Sequence, residues 1–587
     1  MMKRYLAIFL ALCMMLSLVA CTGSVVSEEP VEEPVPVTGL DAIHAALTIE
    51  EGEEYDFGSH LPLVKEGEDN HLTIGLIVNA NTTDYDNNAY TQWLEETTGI
   101  DLEFVQFAGT SSDAATQLSL MMAAGETLPD IVLRFTGVAK SQGAEYGRDG
   151  YFADLSAYFA DPELNYYRKW ALEKIFPDEM DINDMLMLRT TDDSGAIYAY
   201  PRLENCPEDR PKYHVSINKA WLEAVGMEAP TTVEELYDVL VAFRDQDPNG
   251  NGLPDEIPMI GLSSGNWRDI VSWIINAFVF TNDTYYFNVK DGQLWNPYVT
   301  DAYRDALKFI SKLVKEGLLS PQTWTISTTE LKALQNPNEG EPYLVGVIAS
   351  NVYNDIPNTS TAMQDYIQLP PLKDAGYGLG GYGPMLYCTM EYNTFITADC
   401  KNPELAFRLL DFLCSPENHL RMDWGVEGQD WVYSDGTKPG NLGGTATFKL
   451  LNEKVNNTPN NIVWHNYAGV SSSLYFQREI DLSDPNAYES VRYNRDQTLL
   501  KYYDEAGLPE EVFYFNVYTD EEVERRDEIS VNDMTDYMRH ARAEFCSGVL
   551  DPNSDADWNA YLKALENMHE PEWMEIGQAA YDRVFKK

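Results

Sequence analysis

The chain has 587 residues, of which 94 are Asp or Glu and 41 are Lys or Arg, so its formal net charge is -53 at pH 7. This length predicts two or more folded units, each able to bury a core. The acidic balance excludes nucleic acid as a partner, because phosphate binding needs surfaces rich in Lys and Arg.

The amino terminus has the pattern of an export signal. Lys3 and Arg4 precede an apolar stretch, 5–16, that is too short for a permanent membrane span. The following letters LVACTG look like the bacterial lipobox. By that resemblance residues 1–20 are a lipoprotein signal peptide, and cleavage leaves Cys21 to carry diacylglycerol. Residues 21–69 then form the lipidated Cys and an acidic, Pro-containing tether, and two acyl chains suffice for stable membrane attachment.

Strand and helix patterns alternate after the tether, which predicts an α/β lobe with a mostly parallel sheet. Gly99 is expected to end the first helix in a left-handed conformation. The predicted elements, in chain order, are a strand at 72–79, a helix near 87–97, a strand at 100–107, a helix near 114–124 and a buried strand at 128–133.

The middle of the chain contains a short apolar run and a well-marked helix. The run AIYAYPRL at 196–203, broken by Pro201, predicts a strand that passes between two lobes. After a further strand at 215–218, Thr232 and Glu235 form a capping box that opens a helix to about residue 244. The apolar spacing of that helix predicts that it packs on a core.

A run of oxygen-bearing side chains follows this helix directly. Residues 245–256 read DQDPNGNGLPDE, with side-chain oxygens at every second position and two glycines that permit a tight turn. A hard cation such as Ca²⁺ takes six to eight oxygen ligands, and a short loop of this kind can supply most of them. The run predicts a structural calcium site, with an ordinary polar turn as the alternative.

Two registers fit this loop. Starting at Asp245, the run satisfies the EF-hand pattern with Glu256 in the last position. The register that starts at Asp247 is favoured, because both acidic residues at the end of the run then serve as ligands. Its ligands are Asp247, Asn249, Asn251, the Leu253 carbonyl, Asp255 and Glu256.

A later helix begins at Asn402, with Asn as the cap and Pro403 in the first turn. Its apolar stripe predicts a core-facing helix. The carboxyl-terminal region shows several further helical patterns and no motif.

These segments together resemble the solute-binding lipoproteins of bacterial ABC importers. The resemblance is to family 1, in the large oligosaccharide-binding branch typified by alginate-binding proteins and the lipoproteins called LplA. It is carried by the lipobox, EETTGIDLEF, GETLPDIVL, AIYAYPRL, DPNGNGLPDEIP, NPELAFRLLDFLCSPE and WGVEGQDW, which span roughly residues 70 to 431.

The resemblance implies a periplasmic-binding-protein-like α/β fold of type II, with two lobes joined by hinge segments around a ligand cleft. The implied amino-terminal lobe is 70–198 plus 370–422, and the carboxyl-terminal lobe, which holds the calcium loop, is 199–369 plus 423–587. The hinges are expected near 197–201, 367–371 and 421–426.

A sugar cleft needs aromatic platforms and hydrogen-bonding side chains in a concave site. Arg134 follows a predicted strand end, the usual ligand side of an open α/β sheet. With Arg134, the expected ligand-binding residues are Asn266, Trp267, Arg268, Asp269, Trp273, Tyr382, Trp424, Glu427 and Trp431.

The expected function is that of a monomeric, lipid-anchored receptor on the extracellular face of the cytoplasmic membrane. It captures a carbohydrate, expected to be an oligosaccharide, by lobe closure and delivers it to ABC permease subunits. No nucleophile elbow, HExxH or triad signature occurs, so no catalytic residue is assigned. The alternatives are an extracellular carbohydrate-active enzyme, and a sensing or adhesion protein on the same scaffold.

Overall fold

A computed structural model describes residues 55–175, 195–205, 211–265, 267–281, 286–338, 340–349, 360–384, 389–440, 444–455, 458–465, 471–473, 480–513 and 518–585. The predicted signal peptide, Cys21, most of the tether and Asn266 lie outside these residues. Within the described part of the chain, no helix is both long and apolar enough to cross a membrane.

The described strands are β1 (His71–Ile77), β2 (Asp101–Phe107), β3 (Ile131–Val132), β4 (Tyr200–Asn205), β5 (Val215–Asn218), β6 (Ile257–Ile260), β7 (Asn288–Lys290), β8 (Gln293–Trp295), β9 (Val345–Ala349), β10 (Tyr366–Gln368), β11 (Thr389–Ile396), β12 (Trp431–Tyr433), β13 (Phe448–Leu450) and β14 (Ser471–Ser473).

The described α-helices are α1 (Ala89–Thr98), α2 (Ser111–Ala124), α3 (Lys140–Arg148), α4 (Ser156–Phe159), α5 (Tyr166–Ile175), α6 (Lys219–Val225), α7 (Val233–Asp245), α8 (Ile270–Ile275), α9 (Asp301–Lys315), α10 (Thr328–Gln335), α11 (Ser360–Asp365), α12 (Pro403–Phe412), α13 (Pro416–Trp424), α14 (Tyr488–Ala506), α15 (Asp520–Glu528), α16 (Val531–Ser547), α17 (Asp555–Asn567) and α18 (Glu570–Phe585).

A six-stranded sheet organises the first lobe, in the order β14-β4-β11-β3-β1-β2. Strands β1, β2 and β3 are parallel, whereas β11 runs antiparallel to β3. In β1 every residue from Ile74 to Ile77 is buried, so both faces of the strand are covered, as is usual for a parallel sheet between helices. The predicted stop of α1 is confirmed, because Gly99 adopts a φ of 77° and its N–H donates to the Glu95 carbonyl.

A four-stranded sheet organises the second lobe, in the order β10-β5-β9-β6. The predicted capping box is confirmed: Thr232 accepts from the Glu235 N–H, and the Glu235 carboxylate accepts from the Thr232 N–H. Helix α7 then buries Leu236, Val239 and Phe243 in the core beside this sheet. The carboxyl-terminal helices α16 to α18 pack on the same core.

The strand pairing differs from the predicted lobe boundaries at 198 and 422 and agrees with the one at 369. Strand β4, which the predicted boundary at 198 assigns to the second lobe, pairs with β11 in the first sheet. Strand β14, far beyond the predicted boundary at 422, pairs with β4. Trp464 is fully buried in the core of the first lobe, where its indole N–H donates to Thr91. The chain therefore changes lobes between β4 and β5, between β10 and β11, and after β14.

Candidate binding cleft and metal-binding loop

The ends of the strands define the side on which a ligand binds. Arg134 follows β3, at the edge where the parallel strands of the first sheet end. Strand β4 is antiparallel to β11 and so runs with β3, which brings Asn205 to that same edge. In open α/β sheets ligands bind outside the carboxyl ends of the strands. The link from Asn205 to β5 thus leaves the first lobe at its ligand-binding edge.

Trp267 lies at the corresponding edge of the second sheet, after β6. Its N–H donates to the Lys212 carbonyl at 2.7 Å, and its carbonyl accepts from the His214 N–H at 2.9 Å. Trp267 has a φ of 64°, a left-handed conformation that costs an aromatic residue about 1–3 kcal/mol. Such strain persists where the surroundings enforce it, and it gathers at ligand sites. Arg268 follows, half-buried, and its carbonyl accepts from the Leu262 N–H.

Sequence reasoning missed two residues that the structure places beside Trp267. Lys212 and His214 are both buried, and they lie on the segment that enters β5. Burial lowers the pKa of His214 to about 3, although the Pro211 backbone acts in the opposite direction, so its imidazole is neutral. Neither ring nitrogen makes a hydrogen bond of good geometry. No sequence signal marks either residue, because their position depends on the pairing with Trp267.

Two other predicted cleft residues have structural partners. Trp273 is 2% exposed and packs inside the core of the second lobe. Asp269, 1% exposed, accepts from the Ser272 N–H at the start of α8, and its carboxylate lies 3.5 Å from the Arg542 guanidinium. Since both side chains are enclosed by protein atoms, the proposed cleft does not include them.

The remaining predicted residues fall into two groups. Tyr382 is half-buried beside the link to β11 and lies edge-on to Phe280, with 5.9 Å between ring centroids. Trp424 and Trp431 are buried in a small apolar cluster, and the Trp431 indole N–H donates to the Gly425 carbonyl at 2.9 Å. Glu427 pairs with Arg421 at 3.1 Å. This group therefore stabilises the hairpin β12–β13 and the end of α13.

The loop after α7 holds its oxygen-bearing side chains together. Asp247 accepts from the Gly252 N–H at 3.0 Å, and the Asp255 carboxylate accepts from the side-chain amides of Asn249 and Asn251, both at 3.1 Å. Asp247, at φ 46°, and the two glycines turn the backbone through left-handed conformations. Asp245 points elsewhere, because its carboxylate is bound by the neighbouring Arg244 guanidinium at 2.7 Å. The contacts favour the register that starts at Asp247.

Glu256 shows that this loop is suited to a cation. Its Oε1 atom is buried and accepts no hydrogen bond. Burial raises the pKa of Glu256, and the negative charges of Asp247 and Asp255 raise it further. Among the described residues no three His, Cys, Asp or Glu side chains form a ready metal cluster. The loop nevertheless offers two amide oxygens and the Leu253 carbonyl beside its three carboxylates, the oxygen-only set that Ca²⁺ prefers. The donor chemistry therefore fits a calcium ion.

Comparison with known proteins gives the family. The family model described as bacterial extracellular solute-binding protein matches residues 79–419, more than half of the chain. This chain belongs to that family. Its members bind solutes and are not enzymes. Membership of a solute-binding family is therefore consistent with a ligand cleft between two lobes.

Two curated relatives cover different shares of the chain. One is the fructooligosaccharide ABC transporter substrate-binding protein FusA of Streptococcus pneumoniae, 25% identical over 84% of this chain and 86% of its own length. The other is lipoprotein LipO of Bacillus subtilis, 24% identical over 58% of this chain and 64% of its own length.

Solved structures show the fold. An extracellular solute-binding protein from Bifidobacterium longum subsp. infantis has a TM-score of 0.69 at 21% identity, covering 88% of this chain and 99% of that one. An EF-hand mutant of FusA in complex with fructo-nystose has a TM-score of 0.68 at 22% identity, covering 87% of this chain and 99% of that one. The predicted type II periplasmic-binding-protein fold, with two α/β lobes and a ligand cleft, is confirmed.

Proposed function

We propose that this chain is a lipid-anchored extracellular receptor that captures an oligosaccharide between its lobes and delivers it to an ABC permease. Trp267 carries the proposal. It is an incompletely buried aromatic ring, held in a left-handed conformation at the ligand-binding edge of the second lobe. Aromatic rings pack against the apolar C–H faces of sugars, and a few polar groups fix the orientation. FusA, the relative that aligns over most of this chain, is named for fructooligosaccharide.

The proposed cleft combines Trp267 and Arg268 from the second lobe with Arg134 from the first. Tyr382, on the link from β10 to β11, and Asn266, which precedes Trp267 in the sequence, complete the set. The ligand stabilises the closed arrangement because it contacts both lobes at once, and closure needs no bond chemistry. A calcium ion held by the loop 247–256 braces the second lobe without touching the ligand.

Replacement of Trp267 tests the cleft. We expect Trp267→Ala to weaken binding of kestose, or of whichever oligosaccharide in a panel binds best, by about 2 kcal/mol or thirtyfold, as for a central aromatic contact. Isothermal titration calorimetry measures the affinity. Trp295→Ala is the matched control, because Trp295 is a partly buried tryptophan on β8, against the core of the second lobe.

The outcomes of this test are distinct. Equal affinities of wild type and Trp267→Ala would remove Trp267 from the cleft. Appearance of shortened sugars during the titration would favour the carbohydrate-active enzyme. Binding of no oligosaccharide, with retention on sugar-coated or host surfaces, would favour the sensing or adhesion protein.

The proposed anchor is a separate point. Cys21 follows the letters LVA of the lipobox, and the relative LipO is named a lipoprotein. We expect Cys21→Ser to release the protein from the membrane fraction into the medium, because the thiol is the acylation site. Cell fractionation measures this, with Cys206→Ser as the control. Retention of Cys21→Ser on the membrane would contradict the anchor.

A further inference from the structure

The end of helix α14 lies against two of the links between the lobes. The Tyr503 hydroxyl, fully buried, donates to the Tyr213 carbonyl at 2.6 Å, on the link from β4 to β5. The Gly507 carbonyl accepts from the Gly383 N–H at 2.7 Å, on the link from β10 to β11. One turn of helix thus holds both links.

The two links are also bound to each other. The Lys212 N–H donates to the Pro384 carbonyl at 2.9 Å. Residues 211–214 and 383–384 therefore form one layer bound to the end of α14, and Trp267 is hydrogen-bonded to this layer at Lys212 and His214. Trp267, which we place at the ligand, is joined to the helix end through one backbone hydrogen bond to Lys212 and the Tyr503 hydroxyl bond to the adjacent Tyr213.

Gly383 allows the close approach of this layer. A Cβ atom at Gly383 would lie 2.6 Å from the Tyr503 carbonyl oxygen and 2.9 Å from the Tyr503 Cα. Both are rigid backbone atoms, so any side chain at this position would push the link away from the helix. The contact is thus built from a glycine, a buried hydroxyl and a helix end.

We propose that the carboxyl-terminal end of α14 is a clasp that fixes both links to the second lobe and thereby sets the equilibrium between open and closed lobes. The clasp consists of Tyr503 and Gly507 on one side and Tyr213 and Gly383 on the other. This inference rests on the proposed lobe closure. Hinge motion is confined to the residues that no rigid element holds, so a clasp on two links limits where the lobes can bend. Helix α14 itself follows the last change of lobe, so the third link leads into its amino-terminal end, at Tyr488, and the clasp lies at its other end.

Tyr503→Phe tests the clasp. The substitution keeps the ring and removes one hydroxyl, which leaves the Tyr213 carbonyl with one bond fewer. Loss of such a buried hydrogen bond changes an equilibrium by about fivefold to tenfold. Tyr561→Phe is the matched control, because Tyr561 is also buried and its hydroxyl also donates to a backbone carbonyl, that of Tyr298 at 3.2 Å, away from both links.

The readout is single-molecule energy transfer between dyes on Gln92 of α1 and Glu234 of α7, one in each lobe and both exposed. It is made without ligand, so it does not depend on which sugar binds, and a failed sugar panel leaves it interpretable. We expect Tyr503→Phe to change the ratio of the interlobe distance populations by about fivefold or more. Wild type and Tyr561→Phe should give the same distribution.

If the distribution of Tyr503→Phe superimposes on that of wild type, the clasp is overturned. A second measurement needs no variant. In wild type, the amides of Lys212 and Gly383 should exchange hydrogen as slowly as those of β5 and β9, since one rigid body opens together. Exchange of these two amides at least a hundredfold faster than the strands would also overturn the proposal.

Discussion

Removal of calcium is expected to lower the melting temperature of this protein by about 5–10 °C. An ion that binds only the folded state at a concentration a thousandfold above its dissociation constant stabilises that state by about 4 kcal/mol. Here the ion would also offset the mutual repulsion of Asp247, Asp255 and Glu256, which raises the pKa of Glu256. Differential scanning calorimetry in excess calcium and in excess chelator measures the shift.

Glu256→Gln gives this prediction a specific signature. In calcium the variant should be less stable than wild type, because a ligand is lost. In chelator it should be as stable as wild type or more stable, because one of three converging negative charges has gone. A variant that merely damages the fold would be less stable in both conditions, so the change of sign with calcium identifies a metal ligand.

Asp245→Asn decides the register. The Asp245 carboxylate is bound by Arg244, which lowers its pKa, and it takes no part in the loop contacts. We therefore expect Asp245→Asn to keep its calcium response and Asp247→Asn to lose it. The reverse pattern would establish the EF-hand register from Asp245. An unchanged melting temperature of wild type in chelator would exclude a structural calcium ion.

Local features of this fold could be read from the sequence, because they depend on neighbours in the chain. The capping box of Thr232 and Glu235, the glycine stop at Gly99 and the Asn402 cap before Pro403 all join residues three or four apart or fix one backbone angle. Each is confirmed. The oxygen run 247–256 is likewise local, so its position and its tight turn could be read from the sequence, and the calcium ion stays a prediction.

The first and last lobe boundaries could not be read in this way. Tyr200 of β4 pairs with Thr394 of β11, and Leu203 pairs with Ser471 of β14. Pairings across nearly two hundred residues or more leave no mark in the short patterns that predicted a crossing near 197–201. For the same reason sequence patterns do not identify Lys212, His214 and Tyr503, whose importance comes from contacts with the backbone of distant segments. Trp273 and Trp431 are aromatic residues of the kind that a sugar cleft needs. Whether such a residue lies in a cleft depends on its burial, which the sequence does not show.

Above pH 7, where the Asp411 carboxylate is ionised, its replacement by Ala is expected to destabilise the first lobe by about 3–5 kcal/mol, the usual cost of leaving one buried charge without its partner. Asp411 on α12 is 4% exposed, and its carboxylate accepts from the Tyr167 and Arg168 N–H groups at 3.0 and 2.8 Å, at the start of α5. The Arg168 guanidinium is fully buried between the rings of Phe159 and Tyr200, at 4.9 and 4.7 Å. Loss of the carboxylate removes two helix-end bonds and a negative charge that interacts with the Arg168 guanidinium. Urea unfolding monitored by circular dichroism measures the change.

The contribution of Asp411 depends on pH with a defined sign. Burial raises its pKa from the ordinary 3.8 to about 7, although the two N–H groups and Arg168 act in the opposite direction. Between these values the folded state keeps a proton that the unfolded chain releases, so this contribution to stability falls as pH rises from about 4 to about 7. Buried His214 acts with the opposite sign, because its pKa is lowered from 6.5 to about 3 and its contribution is lost as pH falls through that range.

The two effects are separated by comparing each variant with wild type at the same pH, since His214 is common to both. The difference in unfolding free energy between wild type and Asp411→Asn should move in favour of the variant as pH rises from 4.5 to 7.5. A pH-independent difference would mean that Asp411 is ionised throughout.

Arg168→Met combined with Asp411→Asn removes both charges while retaining an acceptor for the helix end. We therefore expect this double variant to be more stable than Asp411→Ala, because no charge is then buried alone. If the double variant is as unstable as Asp411→Ala, the loss of stability comes from packing around α5 and not from a buried charge without a partner.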